Sequence, residues 1–239
     1  MNEILQPLYA QLRDRLRADI LQGRMKAHDK LPSENQLVTL HGVSRITVRQ
    51  ALSELEREGL IARHQGKGAF VTPIRTTQNL ERLQGLTEAL SSRGQVVHSQ
   101  RLSMKRLAAS AEMARKLRLS VGDPVYRLTT LRYVDRQPVS VNRSEFPLAL
   151  GERMVRLDLS GRDIIEVLEK DLGLHVMQAQ LDISAIAMPQ QEARWLSAAP
   201  GSPALRVHRC LSDDQGQPLQ IETAIHRAET FSYQLTLTR

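Results

Sequence analysis

The clearest chemistry in the sequence lies in one heptapeptide, Ser44-Arg45-Ile46-Thr47-Val48-Arg49-Gln50. Val48, Ala51, Leu52 and Leu55 recur at helical spacing and turn inward. That leaves Arg45, Thr47, Arg49 and Gln50 facing outward near the start of the helix. Arginine bonds guanine bidentately, glutamine bonds adenine, and threonine contacts a phosphate or a thymine methyl. Ser44 is placed to cap this helix, where free amides and the helix dipole attract a phosphate. A solvated basic face is the alternative reading. Against it, two strand-like runs, Leu60-Ile61-Ala62-Arg63 and Ala69-Phe70-Val71, follow at once around a turn bearing His64, Gln65 and Lys67. Gly66 and Gly68 in that turn let backbone approach a groove closely.

A second set of polar residues alternates along strand-like runs. Period two puts Thr130 with Arg132, Ser140 with Asn142 and Ser144, and Gln220 with Glu222 and His226, each set on one sheet face. The plain alternative is the wet side of a half-buried sheet. The functional reading is a polar pocket in which Arg132 anchors an anion, since the guanidinium fork suits carboxylate or phosphate. Arg143 and Arg162 are candidates to supplement it. The seven histidines are scattered, with no metal-ligand spacing, and the single cysteine, Cys210, allows neither an internal disulfide nor a zinc cluster. Neither a metal nor another cofactor is expected.

The elements that must carry these residues fall into two groups. Leu8, Leu12, Leu16 and Ile20 mark a first helix stopped near Gly23. Ser33 and Gln36 form a capping-box pattern opening a second, with Leu37 and Leu40 as its buried side. The third helix runs from Ser44 to Gly59. Helices and then a hairpin within residues 1–72 make the plan of a winged helix-turn-helix. Residues 73–79, polar and aperiodic, are assigned as a linker. Residues 80–239 mix helix-like stretches (from Leu83 to Leu90, and at 108–118, 163–171 and 190–197) with strand-like runs at 96–105, 125–134, 138–145, 178–188, 204–212, 218–227 and 231–237. This half is expected to be α+β on a mainly antiparallel sheet.

Composition is that of an ordinary globular chain: 239 residues, 41% hydrophobic and 25% charged, with aromatics at only 3%, so the core must be aliphatic. Net charge is +7. Residues 1–75 hold 12 Lys/Arg against 8 Asp/Glu, more than half of that excess in under a third of the length. A polyanionic partner fits this distribution. No run is long and apolar enough to span a membrane, and the charged first residues do not read as a signal peptide, so a cytoplasmic location is expected.

Leu31-Pro32-Ser33-Glu34, Gly42-Val43-Ser44-Arg45, Thr47-Val48-Arg49, Ala51-Leu52, Gly59-Leu60-Ile61 and Gly66-Lys67-Gly68 resemble the DNA-binding domain of the GntR family of bacterial transcription regulators. His28 stands where that family often has glycine. The resemblance implies operator contacts from Arg45, Thr47, Arg49 and the wing around Gly66, and from the second helix near Ser33 and Asn35. Residues 80–239 resemble the UTRA effector domain of the HutC-type branch, similar in fold to chorismate lyase, through Leu117-Arg118-Leu119, Gly122-Asp123-Pro124-Val125, Thr130-Leu131-Arg132, Pro138-Val139, Phe146-Pro147 and His226-Arg227. Sugar-phosphate-responsive relatives would carry a second Arg at Thr130, a Ser at Asp163 and a Glu at Gln220. The Thr-Leu-Arg pattern leans towards phosphonate regulators.

The expected function is a homodimeric, effector-responsive repressor on a palindromic double-stranded operator, released by a small anionic effector through a two-state coupling routed via residues 73–79. An activator of the same architecture is the alternative. An enzyme on the chorismate lyase-like fold lacks support: the chain has no Gly-x-Ser-x-Gly, no Walker loop and no His-Glu-x-x-His.

Overall fold

The computed structural model describes residues 6–21, 23–64, 66–72, 76–91, 95–135 and 137–237. The chain divides into two compact units, Met1–Ile74 and Arg75–Arg239.

In the first unit, α1 (Leu8–Leu21) buries Ala10, Leu12, Leu16 and Ile20. Next, α2 (Glu34–His41) opens on Ser33, whose hydroxyl accepts from the Gln36 amide while the Gln36 side chain reaches back to the Ser33 backbone, a complete capping box. Gly42 ends it with φ +63°, a left-handed conformation that glycine adopts without steric cost. Ser44 caps α3 (Arg45–Arg57), which buries Val48, Ala51, Leu52 and Leu55. The wing follows as β1 (Ile61–His64) and β2 (Gly68–Val71), antiparallel with His64 opposite Gly68. One aliphatic core joins these elements.

One detail departs from expectation, and a second bears on the resemblance. Leu40 is 69% exposed, because Val38 and Val43 pack on the core and turn α2 so that Leu37 alone is its fully buried residue. His28 takes φ +72°, in the left-handed region, and its amide donates to the Val71 carbonyl, so the glycine-like turn is kept with a side chain on it.

The second unit is built on a six-stranded antiparallel sheet. Its strands are β4 (Val97–Ala108), β5 (Pro124–Val134), β6 (Gln137–Pro147), β7 (Gln178–Ala187), β8 (Pro203–Ser212) and β9 (Pro218–Arg227), in the order β4-β5-β6-β9-β8-β7. Two three-stranded meanders thus meet at β6 and β9, with Asn142 opposite Ala224 and Ser144 opposite Glu222. The helices α4 (Leu86–Ser91), α5 (Ala111–Leu117), α6 (Leu148–Met154), α7 (Ile164–Lys170) and α8 (Gln190–Trp195) cover it. Met154 of α6 and Val167 and Leu168 of α7 close over Leu128, Phe146 and Leu211.

Residues 76–79, assigned from sequence to a linker, form a strand. Here β3 (Thr76–Asn79) pairs in parallel with β10 (Phe231–Gln234), and Thr76 is buried opposite Phe231. The partner lies about 155 residues along the chain, so no local pattern discloses the pairing. α6 was also missed: it follows Pro147 directly and is only seven residues long.

Candidate functional site

On the first unit the sequence-selected residues gather at the N-terminal end of α3. Ser44, Arg45, Arg49 and Gln50 are exposed and Thr47 is half-exposed. The Ser44 hydroxyl accepts from the Thr47 amide (3.1 Å) and lies 2.9 Å from the Thr47 hydroxyl, so both side chains are held at the helix start. Arg49 Nε is 2.9 Å from Glu34 Oε2, which bends that arginine towards α2. No described carboxylate pairs with Arg45 or Lys67. Ser33 and Asn35 are exposed at the start of α2, and His64, Gly66 and Lys67 at the wing tip, where the Lys67 amide donates to the His64 carbonyl. Gln65 lies outside the described residues.

Ile46, which the sequence reading passed over, is 78% exposed beside Arg45. Its signal was present: an isoleucine roughly opposite the Val48-Leu52-Leu55 stripe has no core to enter.

On the second unit a cavity of about 190 Å³ opens over β6, β9 and β8, lined among others by Arg132, Ser140, Asn142, Arg209, Glu222 and His226. Of the seven residues proposed for a pocket, four line it: Arg132, Asn142, Glu222 and His226. Three do not. Thr130 faces Ser99, Arg101 and the segment 155–160 in a separate cavity. Ser144 and Gln220 are buried on the same sheet face outside the lining: Gln220 Nε2 donates to Ser144 Oγ (2.8 Å), which donates to Glu222 Oε2 (2.9 Å). They position Glu222, whose other oxygen is 3.0 Å from Arg209 Nη2.

Arg132 is not a free anion anchor, which corrects the expectation. Its Nη2 is 2.6 Å from Asp163 Oδ1, with side-chain exposures of 13% and 5%. The same carboxylate accepts from the amides of Thr87 (3.2 Å) and Glu88 (2.9 Å) at the start of α4. Burial pushes the Asp163 carboxyl up. The Arg132 charge and hydrogen bond, helped by those two amides, overcome this and hold it below the ordinary 3.8. Neither supplementary arginine reaches the cavity: Arg143 pairs with Glu192 of α8, and Arg162 with Asp171 and Glu166.

Against known proteins, residues 8–71 match the model described as bacterial regulatory proteins, gntR family, and residues 92–232 match the UTRA domain. The chain belongs to the GntR family of bacterial transcriptional regulators. It is 30% identical over 233 residues to the probable fructoselysine utilization operon transcriptional repressor of Escherichia coli K12, covering 98% of this chain and 94% of that one. Over 144 residues, 60% of each chain, it is 35% identical to the E. coli K12 mannosyl-D-glycerate transport/metabolism system repressor MngR. Its fold is similar to that of PhnF from Mycobacterium smegmatis, with a TM-score of 0.71 at 24% identity over 97% of this chain and 99% of that one. The regulator is therefore a winged-helix DNA-binding unit joined to an effector-binding α+β unit, and not an enzyme. Among its described residues no helix is long and apolar enough to cross a membrane, and no cluster of three His, Cys, Asp or Glu could hold a metal ion.

His226 deepens the picture of the regulator's cavity. Its ring stacks on Phe231 with centroids 3.9 Å apart, and both ring nitrogens are buried without a partner. Burial, aided by the charges of Arg132 and Arg209, pushes it down to about 3, so the folded protein keeps it neutral. Unfolded, the imidazole titrates near 6.5, so below that pH the unfolded chain binds a proton that the folded chain refuses. Stability is expected to fall on acidification from about pH 6.5 towards 3, by up to about 1.4 kcal/mol per pH unit from this group. Urea titrations at several pH values should show that slope, and His226→Gln should flatten it. An unchanged slope in the variant would assign the acid sensitivity elsewhere.

Proposed function

We propose that the regulator is a cytoplasmic repressor that binds a palindromic operator as a homodimer and leaves it when a small polar molecule fills the cavity over β6 and β9. The observation that carries this is the exposed row Arg45, Arg49 and Gln50, with Thr47 half-exposed beside it, on a helix pinned by Ser44 and backed by an aliphatic core. In this reading α3 enters the major groove. Arg45, Ile46 and Gln50 meet base edges, Ser44 and Thr47 meet a phosphate, and Ser33, Asn35, His64, Gly66 and Lys67 hold the backbone to either side. Repression of a sugar-related operon is supported by the fructoselysine and mannosyl-D-glycerate systems named for its relatives.

Footprinting on DNA upstream of the regulated genes should protect two half-sites about one helical turn apart. Adding the effector should weaken operator binding roughly 5- to 150-fold, the range of an ordinary allosteric coupling of about 1–3 kcal/mol. Protection of a single, unsymmetrical site would overturn the dimer reading. An effector that tightens binding would make the protein an activator or a co-repressor-dependent repressor.

A further inference from the structure

Three arginines line the cavity, and each already has a carboxylate. Arg132 is paired with Asp163 at 2.6 Å, Arg209 with Glu222 at 3.0 Å, and Arg82 with Glu88 at 2.9 Å. His226 is buried and neutral. The cavity thus presents charged groups without presenting net charge.

Asp163 is fixed in that role. Besides Arg132 it accepts from the Thr87 and Glu88 amides, and the Arg132 guanidinium also donates to the Thr87 hydroxyl at 3.2 Å. Gly85 packs so closely that a Cβ there would lie 2.0 Å from the Asp163 Cγ, so the carboxylate has no room to swing towards α4. An incoming anion would have to evict a carboxylate held by three donors, or else share a guanidinium whose charge a resident carboxylate already balances.

What the cavity does offer is hydrogen bonding without net charge beside apolar wall, including the Nε groups of Arg132 and Arg209, both buried without a partner. Asn142 accepts from Ser140 through Oδ1 (2.6 Å), which leaves its amide N–H groups without a described partner. The Tyr233 hydroxyl likewise has no described partner, and Gln78 donates to the Gln84 carbonyl, keeping its own carbonyl free. Leu181, Val207 and Ala224 supply the apolar surface. Donors and acceptors interspersed with aliphatic carbon match hydroxyl groups on a carbon ring or chain.

We propose that this cavity takes an uncharged, hydroxyl-rich ligand of sugar type and turns phosphorylated ligands away, because Asp163 and Glu222 are resident counter-ions to the arginines that face it. The inference rests on the reading of this cavity as the effector site and names its ligand class. It replaces the anionic effector expected from Arg132 alone.

The test is a titration of the full chain with inorganic phosphate, followed by two-dimensional amide NMR at the Val207 and Ala224 resonances on the cavity floor. These report on the cavity separately from phosphate held by the DNA-binding unit. The wild type should leave both resonances in place. Asp163→Asn, which keeps a carbonyl for the α4 amides but frees Arg132, should move them and bind phosphate roughly tenfold tighter or more. Phosphate that moves them in the wild type overturns the proposal, and so does an Asp163→Asn variant that folds and gains no phosphate affinity. Should that variant not fold, the wild-type titration still decides. The effector-site reading fails by a different result, namely an operator-releasing sugar that leaves Val207 and Ala224 unmoved.

Discussion

Arg45→Ala is expected to weaken specific operator binding roughly 5- to 150-fold, a loss of about 1–3 kcal/mol, without lowering the unfolding temperature. The size follows from the setting of the side chain. Arg45 is the first residue of α3, exposed, with no described carboxylate to release before it can bond a base. Truncation removes nothing from the core, because the buried stripe is Val48, Ala51, Leu52 and Leu55. Arg49 differs in kind. It is held by Glu34, and an exposed pair of this sort is worth at most about 1 kcal/mol, so reaching DNA costs it little. The distinguishing measurement is binding to the operator and to an unrelated duplex across a range of salt. A base-reading Arg45 changes the ratio of the two affinities. A residue touching only phosphate, the role assigned to Lys67, changes both alike and reduces the salt slope by about 1. Equal losses on both duplexes for Arg45→Ala would move Arg45 into the backbone-contacting class.

That the winged-helix unit was legible and the cavity of the second unit only partly so has a physical reason. The winged-helix unit is made of local contacts. A capping box within four residues, a helix stripe within eight and a hairpin within eleven all leave their marks in neighbouring residues. Where local reasoning slipped there, at Leu40, the competitors Val38 and Val43 were themselves only a few residues away. The cavity is made of distant contacts. Period-two alternation places Arg132, Asn142, Glu222 and His226 on one face, but it does not disclose that the segment 155–160 comes against Thr130, or that Gln220 and Ser144 are buried in a hydrogen-bonded chain to Glu222. Nor could it see β3, whose partner is β10 at the far end of the chain. Above all, the sequence presents Arg132 as a free charge because its counter-ion is 31 residues away on the approach to α7. In the sequence Asp163 is an unusual residue at its position, and only the fold shows that it balances the charge of Arg132.

That cancellation is the basis of the second large effect. Arg132→Gln is expected to destabilise the effector unit by roughly 3–5 kcal/mol at neutral pH, since removing one partner of a buried ion pair strands the other. Asp163 would keep its two amide donors and lose its cation while still 95% shielded from solvent. The pH dependence gives the effect a signature that simple loss of packing lacks. In the wild type the Asp163 carboxyl lies below 3.8, so its stabilisation is complete above that pH and fades as the pH falls through the lowered value. Without Arg132, burial dominates and the carboxyl moves above its ordinary value. The folded variant then binds a proton more readily than the unfolded chain, and it regains stability relative to wild type as the pH is lowered from 7 to 5. His226, which Arg132 also helps to keep neutral, contributes in the same direction, so the assignment needs a second variant. Arg132→Gln combined with Asp163→Asn removes the stranded charge outright. It should recover most of the loss and abolish the part of the pH dependence that belongs to the carboxyl, a strongly non-additive cycle. Additive losses in the double variant would mean that the two side chains stabilise the fold independently, and that Asp163 is a helix cap which merely happens to stand beside an arginine.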